Sequence, residues 1–215
     1  MIRGIIPVAL LVLMQGAAVG AQSLPKVHPN AIEICSVIIN ELTEGKVSRK
    51  QGEAISLAIA QAGNKHFGRV TCGDMWLYLA MAHQESGFRN NIINQQSCLG
   101  MFQIHGPSWA SKFGVTYRDL LDVETNADCG VRVFKYYLNL YRNVTFALSA
   151  YNSDHPRAAL GYSMSVLGLR SRIKKRYTQL YRVFQEADRA PDNPRPPQNS
   201  QHAASAQLAG KDALR

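Results

Sequence analysis

Glu85 is the residue in this chain best placed to move a proton. From Met75 to Ala82 the sequence reads Met-Trp-Leu-Tyr-Leu-Ala-Met-Ala, an apolar run that predicts a helix buried on most sides. Asp74 is placed to cap its start, and Gly87 suits the left-handed conformation that stops a helix. Glu85 then falls in the last turn. Apolar surroundings and the negative end of the helix macrodipole both disfavour a carboxylate, so both push its pKa toward the range where a general acid keeps its proton near neutrality. The competing reading is a surface glutamate that merely ends a helix, because perturbed carboxylates mark functional sites only statistically.

Other chemistries find less support. His83-Gln84-Glu85 matches the start of a zinc-deaminase pattern, but no Pro-Cys-x-x-Cys follows it. There is no His-Glu-x-x-His, no Gly-x-Ser-x-Gly and no phosphate-cradling glycine loop. The histidines at 28, 66, 83, 105, 155 and 202 are scattered, as surface or hydrogen-bonded core residues are. Neither a metal site nor a cofactor is expected.

The elements that must position Glu85 are mostly helical. Ile32, Cys35, Ile38, Ile39 and Leu42 recur at helical spacing up to Gly45. Ser48 and Gln51 form a capping box before a second helix carrying Ile55, Ala58, Ile59 and Ala62, with Gly63 and Asn64 as its stop. After the Glu85 helix come a polar loop, Arg89 to Ser97, and the segment Leu99-Gly100-Met101-Phe102-Gln103-Ile104, which can be extended. Pro107 suits the first turn of a short helix ending near Gly114. A longer helix is expected from Glu124 to Arg142, and another capped by Thr145 and interrupted at His155-Pro156. The last helix carries Ile173, Tyr177, Leu180 and Phe184.

The ends differ in character from this middle. Met1 and Arg3, the apolar run Ile5 to Leu13 and the small residues Val19-Gly20-Ala21 predict a secretory signal peptide over residues 1–21, with a mature chain from about Gln22. No cysteine follows those small residues, so a lipidated N-terminus is not expected. One domain is expected over residues 24–187, and a disordered tail, rich in Pro, Asn, Gln, Ala and Ser, over 188–215. Export makes the four cysteines, Cys35, Cys72, Cys98 and Cys129, candidates for two disulfides. Pairing Cys35 with Cys72 and Cys98 with Cys129 closes moderate segments, but sequence leaves the connectivity open. The formal charge of +9 suits an anionic partner. By charge alone, cell-wall polymers, membrane headgroups and nucleic acid all qualify. Arg170, Arg172, Lys174, Lys175, Arg176 and Arg182 crowd the C-terminal helix, where such a run is ordinarily a solvated face.

Four short segments then occur in order: Glu85-Ser86-Gly87-Phe88; Leu99 to Ile104; Leu121-Asp122-Val123-Glu124-Thr125-Asn126 with Gly130; and Ala147 to Asn152, ending Ala-Tyr-Asn. Together, over roughly Cys72 to Tyr181, they resemble the soluble lytic transglycosylase domain. The resemblance implies a mainly α, lysozyme-like single domain with at most a small extended segment near the cleft. It also implies cleavage of the bond between N-acetylmuramic acid and N-acetylglucosamine in peptidoglycan, in the periplasm or outside the cell. Glu85 corresponds to the catalytic acid and base. Ser86 corresponds to a residue orienting a sugar or the glutamate, and Gln103 and the main chain at Met101 and Phe102 to the cleft lining. Tyr151 corresponds to a hydrogen-bonding group near Glu85, and Asn152 to a glycan contact. The substrate implied is the glycan strand, with no nucleic acid and no metal. The chain is most similar to the small members associated with conjugation or secretion machinery, which makes such an apparatus a candidate partner.

Two departures stand out: Gly-Met-Phe-Gln replaces the commoner Gly-Leu-Met-Gln, and Ser153-Asp154-His155-Pro156 stands where Ala-Gly often follows Ala-Tyr-Asn. Ordinary glycosidases use two carboxyl groups roughly 5 to 9.5 Å apart. Here no acidic residue stands between Glu85 and Asp119, although Asp119, Asp122, Asp128 or Asp154 could be brought near by folding. A transglycosylase needs only Glu85, because the muramic acid 6-hydroxyl serves as nucleophile. A water-using hydrolase and a non-catalytic wall-binding component are the alternatives.

Overall fold

The computed structural model describes residues 29–68 and 71–189. The expected signal peptide and C-terminal tail lie outside them. Seven helices and one minimal hairpin make up the described chain: α1 (Pro29–Leu42), α2 (Arg49–Phe67), α3 (Cys72–Ser86), β1 (Cys98–Leu99), β2 (Ile104–His105), α4 (Gly106–Phe113), α5 (Val123–Tyr141), α6 (Val144–Ser153) and α7 (Leu160–Arg189). A 3-10 turn, Asp119–Leu121, leads into α5. The fold is mainly α, as the resemblance implies. None of the described helices is long and apolar enough to cross a membrane.

α3 is the central element. Leu79, Ala80, Met81 and Ala82, one full turn, have no exposed surface. α7 covers α3 along one side and also meets α1 and α6, while α2 packs between α1 and α5. Burying a large apolar side chain contributes about 1.5–3 kcal/mol, so the turn through Leu79 and Met81 fixes α3 in this position more firmly than any surface contact could.

Local chemistry explains the helix ends, including those where the structure differs from expectation. Ser48 and Gln51 form the expected capping box of α2. Gly63 and Asn64, however, do not stop that helix; both are buried inside it, and it runs on to a left-handed Gly68. Packing against α5 outweighs the helix-weakening tendency of a single glycine, about 1 kcal/mol. Asp74 is not the N-cap of α3. Thr71 is, and Asp74 sits three residues on, its carboxylate accepting from the Thr71 backbone in a second capping box. Asn143, not Thr145, caps α6, its side chain accepting from Phe146 N. α7 begins well before Ile173, at Leu160.

The hairpin pairs Cys98 with His105 and Leu99 with Ile104 in antiparallel register. Asn126, fully buried on α5, holds it in place. Its amide nitrogen donates to Leu99 O (2.9 Å) and Leu120 O (2.7 Å), and its amide oxygen accepts from Phe102 N (2.8 Å). Gly130, one turn further on, leaves room for the Phe102 ring: a Cβ there would lie 2.4 Å from Phe102 Cγ.

The cysteines differ from expectation. Cys98 and Cys129 carry free thiols and are not paired with each other. The Cys98 thiol is engaged with the Asn94 side chain, while Cys129 is buried in α5, where desolvation pushes its pKa up to about 11. The Cys72 side chain lies outside the description, and with it the expected pair with Cys35.

Truncating Asn126 leaves two carbonyls and one N–H buried without partners, each costing roughly 1–3 kcal/mol. Asn126→Ala is therefore expected to lower unfolding free energy by about 3 kcal/mol or more in urea denaturation. A loss under about 1 kcal/mol would mean the hairpin is held by other contacts.

Candidate active site

Glu85 lies in the last turn of α3, as its sequence context predicts. Gly87 N donates to His83 O (2.8 Å) and Phe88 N to Ala82 O (3.3 Å), closing the helix with a doubled C-terminal turn. Gly87 and Phe88 are both left-handed, with φ of 61° and 63°. The buried Phe88 side chain packs against the His83 ring and anchors this sharp exit.

The Glu85 carboxyl is pushed up to about 7, chiefly by burial, with a hydrogen bond from Tyr162 acting in the opposite direction. That bond, Tyr162 Oη to Glu85 Oε1, is 2.5 Å long. Burial and the adjacent Glu85 charge hold the Tyr162 hydroxyl well above the ordinary phenol range, so it remains a donor. The pair has a consequence for stability. With its folded pKa raised, Glu85 contributes stability that is fully present below about 4.5 and is lost as pH rises through about 7.

The turn Gly100 to Gln103 is held from three helices. From α3, Ser86 Oγ donates to Met101 O (2.9 Å); from α5, Asn126 accepts from Phe102 N; from α6, Tyr151 Oη donates to Phe102 O (2.8 Å). Met101 and Phe102 are completely buried, and their main-chain groups just named are taken up by these contacts. Gln103 ends the turn at φ 46°, its side-chain amide donating to Gly100 O (2.9 Å). A left-handed non-glycine residue of this kind costs about 1–3 kcal/mol.

The expected site residues thus divide. Glu85, Ser86, Met101, Phe102, Gln103 and Tyr151 are brought together around one turn. Tyr151 serves the turn and does not bond to Glu85, though the Glu85 charge is close enough to raise its pKa after burial does. Asn152 is exposed near the end of α6. Sequence reasoning missed Tyr162. The available signal was the spacing of Tyr162, Val166, Leu169 and Ile173, which continues the inward face of α7 back into its first turn.

Each acid weighed as a second carboxylate is engaged elsewhere. Asp119 accepts from Thr116 N and Asp122 from Thr125 N. Asp128 binds Lys65 and His66 at 2.9 and 2.7 Å, and Asp154, in a left-handed cap at φ 57°, accepts from the Tyr137 hydroxyl. The described residues contain no cluster of three or more His, Cys, Asp or Glu side chains fit to hold a metal.

Residues 73–159 match the family model of the transglycosylase SLT domain. Over that segment the chain is similar to the SLT family. An SLT domain acts on peptidoglycan as a glycan-cleaving transglycosylase, and the matched segment spans α3 through α6, including Glu85, the clamped turn and Tyr151. Tyr162 lies three residues beyond it. No curated protein and no solved structure matches the chain.

If Tyr162 tunes Glu85, Tyr162→Phe removes a charge-assisted bond of about 1.5–3 kcal/mol that favours the carboxylate, equivalent to roughly one to two pH units. The alkaline limb of peptidoglycan cleavage should then move to higher pH, with a fall in kcat. An unmoved limb would leave Tyr162 a packing residue.

Proposed function

We propose that this protein is a lytic transglycosylase in which Glu85 is the only catalytic carboxyl group. Protonated near neutrality, Glu85 donates its proton to the glycosidic oxygen between N-acetylmuramic acid and N-acetylglucosamine as that bond breaks. The resulting carboxylate takes the proton of the muramic acid 6-hydroxyl as its oxygen closes on the anomeric carbon, leaving a 1,6-anhydro end and restoring the acid. The nucleophile belongs to the substrate, so it is held at high effective concentration. Tyr162 steadies the carboxylate between the two proton transfers. Ser86 and Tyr151 set the turn from which Gln103 and the neighbouring main chain meet the sugar, and Asn152 contacts the glycan at the rim.

The observation carrying this reading is the elevated pKa of Glu85 together with the engagement of Asp119, Asp122, Asp128 and Asp154 in other contacts. A hydrolase would want one of those acids free to activate water. Export to the periplasm or beyond by a leader over residues 1–21 accords with a wall substrate. Local wall opening for a secretion or conjugation apparatus is the setting suggested by the small members the chain resembles.

Digestion of purified peptidoglycan with mass spectrometry of the released muropeptides tests the proposal. Products one water lighter than reducing muropeptides are expected, and none from Glu85→Gln. Reducing ends would make the protein a hydrolase, and full cleavage by Glu85→Gln would remove Glu85 from the mechanism.

A further inference from the structure

Two adjoining concavities follow α7 beyond the catalytic region. One, of about 270 Å³, is lined by Trp76, Leu167, Arg170, Ser171 and Lys174. The other, of about 400 Å³, shares Ser171 and Lys174 and adds Lys175, Thr178, Gln179 and Arg182. Among the described residues no carboxylate lines either. Arg176, in the same run of charge, turns away and pairs with Glu41 at 2.6 Å. Arg170, Lys174, Lys175 and Arg182 make no ion pair among the described residues. Their spacing along the helix aligns them, with Ser171 and Thr178, in one strip about 18 Å long.

Trp76 makes this more than a solvated face. Its indole N–H is buried and has no acceptor among the described residues, although buried donors are almost always paired. Lys174 Nζ lies 5.9 Å from the centre of the same ring, and Tyr177 packs against it at 5.5 Å. The strip therefore offers cations and a recessed N–H donor, a combination that asks for an oxyanion able to enter a concavity. A flat headgroup layer meets exposed cations but cannot reach a buried N–H.

We propose that the α7 strip with Trp76 binds carboxylates on the peptide side-arms of peptidoglycan, so that the protein recognises peptide-bearing glycan and not the sugar chain alone. This rests on the peptidoglycan substrate of the proposed function. Arg170 lies about 12 Å along α7 from Tyr162, within the span of a four- or five-residue side peptide, about 13–18 Å extended. The strip supplies affinity and selection among glycan regions, and takes no part in bond cleavage.

The test compares the full chain, Arg170→Gln/Lys174→Gln/Lys175→Gln and Trp76→Phe on three targets: intact peptidoglycan, the same glycan stripped of its peptides by an amidase, and phosphatidylglycerol vesicles. Cosedimentation measures binding, and muropeptide release measures turnover. The parent is expected to bind intact wall at least tenfold more tightly than stripped glycan, with the preference weakening as salt rises. The triple variant should lose that preference while keeping saturated turnover and its binding to stripped glycan, and Trp76→Phe, which keeps an aromatic ring but not the indole N–H, should lose part of it. Equal binding of the parent to both walls, or a triple variant that retains the preference, overturns the proposal. Vesicle binding that the triple variant abolishes while wall preference persists reassigns the strip to a membrane. Failure of the transglycosylase reading shows separately, as absent or reducing-end products with the binding preference intact.

Discussion

A helix that must be buried on nearly every side ends here on an ionisable residue, and the organisation of the site follows from that. α3 cannot slide outward to hydrate Glu85 without exposing Met81 and Leu79, which lie four and six residues before it and have no exposed surface. The half-buried carboxyl is therefore held partly out of water by the core itself. Its elevated pKa is a price set by packing, borne as stability lost when the pH rises through about 7. Tyr162 offsets part of that cost by donating a 2.5 Å hydrogen bond, and it can do so because α7 lies along α3.

The same buried end fixes the opposing surface. Ser86, the residue after the acid, reaches the Met101 carbonyl, so the turn beneath the proposed cleft is referenced directly to the helix that carries Glu85. Asn126 and Tyr151 bind the neighbouring peptide groups from α5 and α6. Gly100, at φ 72°, makes this convergence sterically possible: a Cβ there would lie 2.2 Å from the Asn126 amide nitrogen. A left-handed Gln103 is the consequence at the end of the turn. The hairpin is too short to be stable alone, and side chains from three helices supply what a longer ladder would otherwise provide.

Much of this was legible in the residues, for reasons that are local. The apolar run ending in Glu85-Ser86-Gly87 specifies a buried helix and its stop, and Ser48 with Gln51 specifies a capping box. Pro107 and Gly114 bracket α4. The four ordered motifs carry the resemblance to the SLT domain in the sequence alone. What escaped depends on contacts between distant segments. Gly63 and Asn64 look like a stop but are packed inside α2. Thr145 looks like a cap, yet Asn143 is the residue whose side chain reaches Phe146 N. Asn126 belonged to a recognisable motif, but its triple bonding depends on where Leu99, Phe102 and Leu120 arrive. Tyr162 is 77 positions from Glu85, and only the packing of α7 on α3 joins them.

The central claim is that burial keeps the Glu85 carboxyl protonated near neutrality. Titrating that carbon by NMR in ¹³C-labelled protein, with the resonance assigned by its absence in Glu85→Gln, tests it most directly. A midpoint near 7 is the result this account predicts. A midpoint near the ordinary glutamate value of about 4.5 would contradict it, because the group would then be ionised at neutral pH and have no proton to give.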